Sequence, residues 1–134
     1  PYATGTIGYM KILAGDFAEG RELLDHAMTA QPIHPQWFRH AVYLDHFQRA
    51  DYEGALEAVR GHDDTGFWYL ALVAAALGKL GRVDEAAPWL ERLLAEKPDL
   101  PGRAEELISR SIKVQRLVKD ILDGLGRCGM AGEA

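Results

Sequence analysis

The chain has 134 residues and a formal net charge of −5, with 26% charged and 48% hydrophobic residues. That balance fits one soluble globular domain with a continuous core and excludes a disordered chain. The acidic excess argues against a nucleic-acid or anionic-membrane surface, since both favour basic patches.

No apolar run reaches the roughly 18 residues of a membrane span; the longest is residues 71–77. Cys128 stands alone and cannot form an internal disulfide, which suits a reducing cytoplasm. The chain begins at Pro1, without an initiator methionine or signal-peptide pattern. It is therefore expected to be an excised, cytoplasmic part of a longer protein.

In chain order, Pro1–Leu13 reads as a helix even though Gly5 and Gly8 each lower its propensity by roughly 1 kcal/mol relative to alanine. Gly15-Asp16-Phe17 then marks a turn into a second helix carrying Gly20, Leu24 and Ala27, closed by Pro32. The same small–polar–apolar phrase recurs at Ala50-Asp51-Tyr52 and Gly81-Arg82-Val83. The spacings, 50 − 15 = 35 and 81 − 50 = 31, lie near the repeat length of about 34 seen in helical-hairpin solenoids.

A small residue follows each apolar anchor by three positions (Gly20, Ala55, Ala86), and a larger apolar one comes four further on (Leu24, Val59, Leu90). The third copy is the fullest. Trp68–Leu80 is apolar on nearly every face, and Val83, Ala86, Ala87, Leu90, Leu93 and Leu94 form one buried helical stripe. Pro88 must sit at the opening margin of that helix or kink it.

The middle copy is expected to be irregular: Tyr43 takes the place of Gly8 and Ala74, where a ring pushes two helices apart unless it turns outward. Gly61 shortens its second helix, with residues 63–66 as loop and Asp63-Asp64 as loop and helix cap.

Past Pro98, Asp99-Leu100-Pro101 is a helix start with Asp99 as N-cap, and Glu105-Glu106 is read as a solvated helix opening. Val114, Leu117, Val118, Ile121, Leu122 and Leu125 form a clean apolar stripe. Two helices, Pro101–Arg110 and Ile112–Leu125, are expected, broken near Ser111, with one long helix as the alternative. Gly126 is the expected stop, and residues 128–134 are expected to be a loose tail.

These residues resemble the tetratricopeptide repeat (TPR) family. The first copy supplies Ile7, Gly8, Gly15-Asp16-Phe17, Gly20, Leu24, Ala27 and Pro32. The third supplies Val73, Ala74, Gly81, Val83, Ala86, Leu90, Leu93 and Pro98. The resemblance implies an all-α, right-handed helical-hairpin solenoid of three repeats (about 1–34, 36–66 and 67–98). A capping helical segment at about 100–126 completes one domain over 1–127.

A shorter likeness runs through His34-Pro35-Gln36-Trp37, Phe67-Trp68 and the closing Asp123-Gly124-Leu125-Gly126. It is similar to the C-terminal TPR arrays of bacterial adenylate/guanylate cyclase-like proteins and of winged-helix regulators. That likeness implies a signalling role, with any catalytic or DNA-binding domain upstream.

In the TPR family the first helix of each repeat lines a concave groove. By that resemblance Tyr2, Trp37, His40, Leu44, Phe47 and Trp68 are the candidate partner-binding residues. Tyr2, Trp37 and Trp68 share one repeat position, and packing between repeats explains them slightly better than a binding stripe. Gly5, Tyr9, Leu44, Ala71 and Ala75 stand where carboxylate-holding members of the family carry Lys, Asn and Arg, so that sub-function is not expected.

No chemistry competes with this reading. His26, His34, His40, His46 and His62 show no metal-ligand spacing, no Gly-Lys-Ser/Thr occurs, and Cys128 has no activating neighbour in sequence. The expected function is a non-catalytic protein–protein interaction module without metal or cofactor. Its expected partner is a protein or peptide, and a homodimer or larger species is expected at high concentration through Ile7, Met10 and Leu13–Phe17. The alternative is a small-ligand or metal-responsive sensor, which would need an enclosed pocket with converging polar groups.

Overall fold

The computed structural model describes residues 2–60 and 66–130, and their regular structure is entirely α-helical. The helices are α1 (Tyr2–Ala14), α2 (Phe17–Ala30), α3 (Trp37–Gln48), α4 (Tyr52–Val59), α5 (Phe67–Lys79), α6 (Val83–Glu96), α7 (Leu100–Ser111) and α8 (Gln115–Arg127). They fall into two compact units, Pro1–His62 and Asp63–Ala134. In each, consecutive helices pair as hairpins: α1 with α2 and α3 with α4, then α5 with α6.

The small–polar–apolar phrase encodes one backbone device. At each of the three turns the small residue takes a positive φ: Gly15 at 101°, Ala50 at 61° and Gly81 at 75°. Its amide reaches back three residues and the next amide reaches back five. Gly15 bonds Ile12 and Asp16 bonds Lys11; Ala50 bonds Phe47 and Asp51 bonds His46; Gly81 bonds Gly78 and Arg82 bonds Leu77. The orphan carbonyls at the helix end are thereby satisfied and the chain is reversed.

Ala50 holds this left-handed geometry with a Cβ, at a cost of roughly 1–2 kcal/mol. Ala50→Gly is therefore expected to stabilise the protein by about 1 kcal/mol once glycine's extra backbone entropy is counted. Denaturant unfolding would show it as a raised midpoint with unchanged slope.

Asp51 starts α4, its Oδ1 accepting the Gly54 amide at 3.0 Å. That bond first, and the contact with His46 second, hold its carboxyl below the usual carboxylate range. A depressed folded pKa gives stability that is present above the unfolded value of about 3.9 and lost as pH falls through the folded one. Asp51→Ala is expected to cost about 1 kcal/mol near neutrality. The difference in melting temperature from the parent should shrink below about pH 4, and a gap that stays constant there would contradict this role.

Within the first unit, α1 and α2 meet backbone to backbone. A Cβ at Gly8 would stand 2.8 Å from the Gly20 carbonyl and 3.0 Å from the Leu24 amide, and one at Gly5 would overlap the Phe38 ring. The glycines that weaken α1 as an isolated helix are thus what allow it to pack. The α3–α4 pair works differently. Tyr43 is fully buried, stacked on Phe47 (centroids 5.4 Å, planes 24° apart), and Phe47 meets Tyr52 of α4 edge-on at 4.9 Å. Tyr43 therefore does not turn outward; a run of rings joins α3 to α4 where glycines join α1 to α2. α4 is short at eight residues, as expected, while Gly61 and Asp63-Asp64 lie outside the described residues.

The second unit corrects several details of the sequence reading. Pro88 sits at the sixth position of α6, past the opening margin, and α6 continues to Glu96. Its missing amide leaves the Asp84 carbonyl to solvent, and both residues are exposed. Asp99 occupies the N-cap position of α7 without capping it, because its carboxylate takes Arg103 at 3.1 Å instead. Glu105 and Glu106 lie in the middle of α7, and Glu106 accepts from Arg103 and Arg110.

Two helices replace the single-helix alternative, with Ile112–Val114 as the break. α8 packs on α5, where Leu117, Val118, Ile121 and Leu125 are fully buried. A Cβ at Gly124 would overlap the Ala75 carbonyl, and one at Gly78 would overlap the Gly124 carbonyl. Beside this crossing Lys79 donates to Asp123 at 2.8 Å, and Asp123 also takes Arg127 at 2.9 Å. The lysine first holds the Asp123 carboxyl below its ordinary range. α8 was expected on Trp89, Leu93 and α5; its seat is on α5, while the Trp89 ring meets Tyr69 edge-on at 5.7 Å.

The expected stop at Gly126 is also corrected, as is the looseness of the tail over residues 128–130, while residues 131–134 of that tail lie outside the described residues. α8 runs on to Arg127, and Gly129, at φ 109°, reverses the chain with the same paired bonds, Gly129 to Gly126 and Met130 to Leu125. Cys128 and Met130 are buried, and the Cys128 thiol donates to the Leu125 carbonyl at 3.1 Å. Burial raises the thiol pKa.

Candidate functional site

The aromatic residues singled out from the sequence divide into three groups. Tyr2 and Trp37 open α1 and α3 and come together edge to face, with centroids 6.2 Å apart. Tyr9 joins them from α1 at 4.8 Å from the Trp37 ring, and Phe38 adjoins Trp37 at 4.7 Å. Phe38 is the buried base of this cluster, Trp37 and Tyr9 are half-buried, and Tyr2 is 56% exposed. Burial raises the Tyr9 phenol pKa.

Leu44 and Phe47 form the second group. Both are buried, and Phe47 belongs to the ring run between α3 and α4, so neither offers a free surface. His40, half-buried on α3, lies between these environments. Trp68 forms the third group, in the Asp63–Ala134 unit, half-buried with its ring 5.4 Å from Phe67.

Tyr9 was not among the candidates. Its signal was nevertheless legible: seven residues past Tyr2 is two helical turns, so both rings leave α1 on one face. The apolar margin of the same helix is open. Ile7 is 52% and Met10 63% exposed, whereas Leu13 and Phe17 are half-buried.

A polar network braces this unit from the other side. Asp45, only 5% exposed, accepts from Arg21 of α2 at 3.0 Å, from Gln48 at 3.1 Å and from Arg49 at 3.3 Å. A buried carboxylate needs such partners, because removing one leaves an uncompensated charge. His46 continues the chain, with Nδ1 2.9 Å from Asp51 and Nε2 3.3 Å from Arg21. Nδ1 donating to Asp51 and Nε2 accepting from Arg21 would satisfy both contacts. The network holds α2, α3 and α4 together.

Among the described residues no three His, Cys, Asp or Glu side chains are placed to hold a metal, and no helix is long and apolar enough to cross a membrane. No family model, curated protein or solved structure matches the chain. The fold and the site define the class: an all-α protein of paired helical hairpins, with a partly exposed aromatic cluster where two successive hairpins meet.

Proposed function

We propose that this chain is a non-catalytic protein–protein interaction module of tetratricopeptide type that binds a protein or peptide through the Tyr2–Tyr9–Trp37 surface. One observation carries the reading: Tyr2 leaves more than half its surface in solvent while its ring edge is held by Trp37. Large, pre-positioned aromatic rings of this kind anchor partners at little cost in side-chain entropy. The sequence likeness to cyclase-like and winged-helix regulatory proteins supports the finer reading of a module in a bacterial, cytoplasmic signalling chain. The open Ile7–Met10 margin supports self-association as a homodimer at high concentration.

The test is selection of peptides from a random displayed library against the chain, followed by NMR. Selected peptides are expected to shift the amides of Tyr2, Tyr9 and Trp37, and Tyr2→Ala should weaken them by about tenfold. Shifts confined to other surfaces would remove this site. Nucleotide cyclase turnover by the isolated chain would overturn the non-catalytic reading.

A further inference from the structure

Between α2 and the start of α3 lies an open cleft of about 550 Å3, lined by Asp25, Met28, Thr29, Pro32, His34 and Arg39. Its charges are unevenly matched. Asp25 is taken by Arg21 at 2.9 Å, and His34 uses Nδ1 on the Gln31 carbonyl at 2.9 Å. Arg39 differs. Its Nε is buried and, among the described residues, makes no hydrogen bond. Elsewhere the guanidinium groups of Arg21, Arg82, Arg103 and Arg127 engage carboxylates at 2.9–3.1 Å. A guanidinium that has lost water along one edge, without a counter-ion among the described residues, gains unusually much from an anion reaching its open edge.

We propose that this cleft is an acidic-side-chain site, in which Arg39 anchors a glutamate or aspartate carried by a peptide partner. The planar fork of the guanidinium matches a carboxylate, and Thr29, with a hydroxyl able to donate, lines the same cleft. Met28 and Pro32 supply an apolar wall for the acid's stem and its flanking residues. A volume of about 550 Å3 exceeds what a lone small anion fills and suits a side chain with its neighbours. The Asp25 carboxylate in the same cleft disfavours a doubly charged phosphate more than a singly charged carboxylate. The inference rests on the interaction-module reading and adds to it a second contact with a stated partner chemistry, beside the aromatic cluster, whose Phe38 ring stacks on His34 at 6.0 Å.

The test uses the full 134-residue chain and a blocked pentapeptide, Ala-Ala-Glu-Ala-Ala, acetylated and amidated at its ends. NMR follows the Arg39 Nε–H signal and the amides of Thr29 and His34. Saturable shifts are expected with the Glu peptide, and binding about tenfold or more weaker with its Gln counterpart, with Arg39→Gln and with Arg39→Lys. The lysine variant keeps the charge and loses only the fork, so it serves if the glutamine variant misfolds. Equal binding of the Gln peptide, or of Arg39→Lys, would overturn the proposal. So would acetate or inorganic phosphate binding as tightly as the Glu peptide, which would make this a general anion site. If library-selected peptides move Tyr2 and Trp37 while the Glu peptide leaves Arg39 still, this site falls and the interaction reading stands.

Discussion

Ile121→Asp is expected to cost about 4 kcal/mol or more, a large share of the roughly 5–15 kcal/mol that holds a domain of this size together. Ile121 is fully buried in the α8 face that packs on α5, with Leu117 and Leu125 one turn to either side. Each of these side chains contributes roughly 1.5–3 kcal/mol by burial before entropy. A carboxylate in that contact has no cation to meet it, since Lys79 is committed to Asp123 at the rim. Calorimetry should show the melting temperature falling by roughly ten degrees or more. Truncation after Pro98 should act the same way and increase aggregation, because the apolar α5 face is then uncovered. A truncated chain that melts like the parent would show that α8 is a free arm.

The second large effect is expected at Gly8. Gly8→Val places two methyl groups against the backbone of α2, where the Gly20 carbonyl and the Leu24 amide have no rotamer with which to move aside. Overpacking against backbone is expected to cost about 3 kcal/mol, outweighing the gain in helix propensity. Gly102→Ala is the control. Nothing lies within 4 Å of a Cβ built there, so the same loss of a helical glycine should be neutral or stabilising by up to about 1 kcal/mol. Chemical denaturation of both variants separates packing from propensity, and equal destabilisation would remove the backbone-contact explanation.

The hairpins were legible in the sequence because their turns are local. A small residue followed by a polar and an apolar one suffices to mark Gly15, Ala50 and Gly81, and each forms the same bonded reversal. The seat of α8 was only half legible. Its stripe is periodic, but nothing in that periodicity marks Gly78 and Gly124 as the points where the two backbones approach. Tyr43 failed for the opposite reason. A ring at a position occupied elsewhere by Gly8 suggests exclusion, and only Phe47, stacked on it and met edge-on by Tyr52, shows that the core is built around it. The candidate site divided along the same line. Tyr2 and Trp37 met because they begin neighbouring helices, whereas the burial of Leu44 and Phe47 depends on packing that periodicity alone does not distinguish from a groove.

The end of α8 gives the molecule its own reporter. Cys128 is the chain's one thiol, buried and hydrogen-bonded to the Leu125 carbonyl, within the turn that Gly129 closes. A thiol reagent can reach it only when that turn opens, so its labelling rate, divided by the rate of a free cysteine, is the fraction of time α8's end spends undocked. Measured along a denaturant series, the rate separates fraying of this one end from unfolding of the whole chain, without any introduced label. The residue that reads as chemically idle is thus a clock for the motion of the last helix.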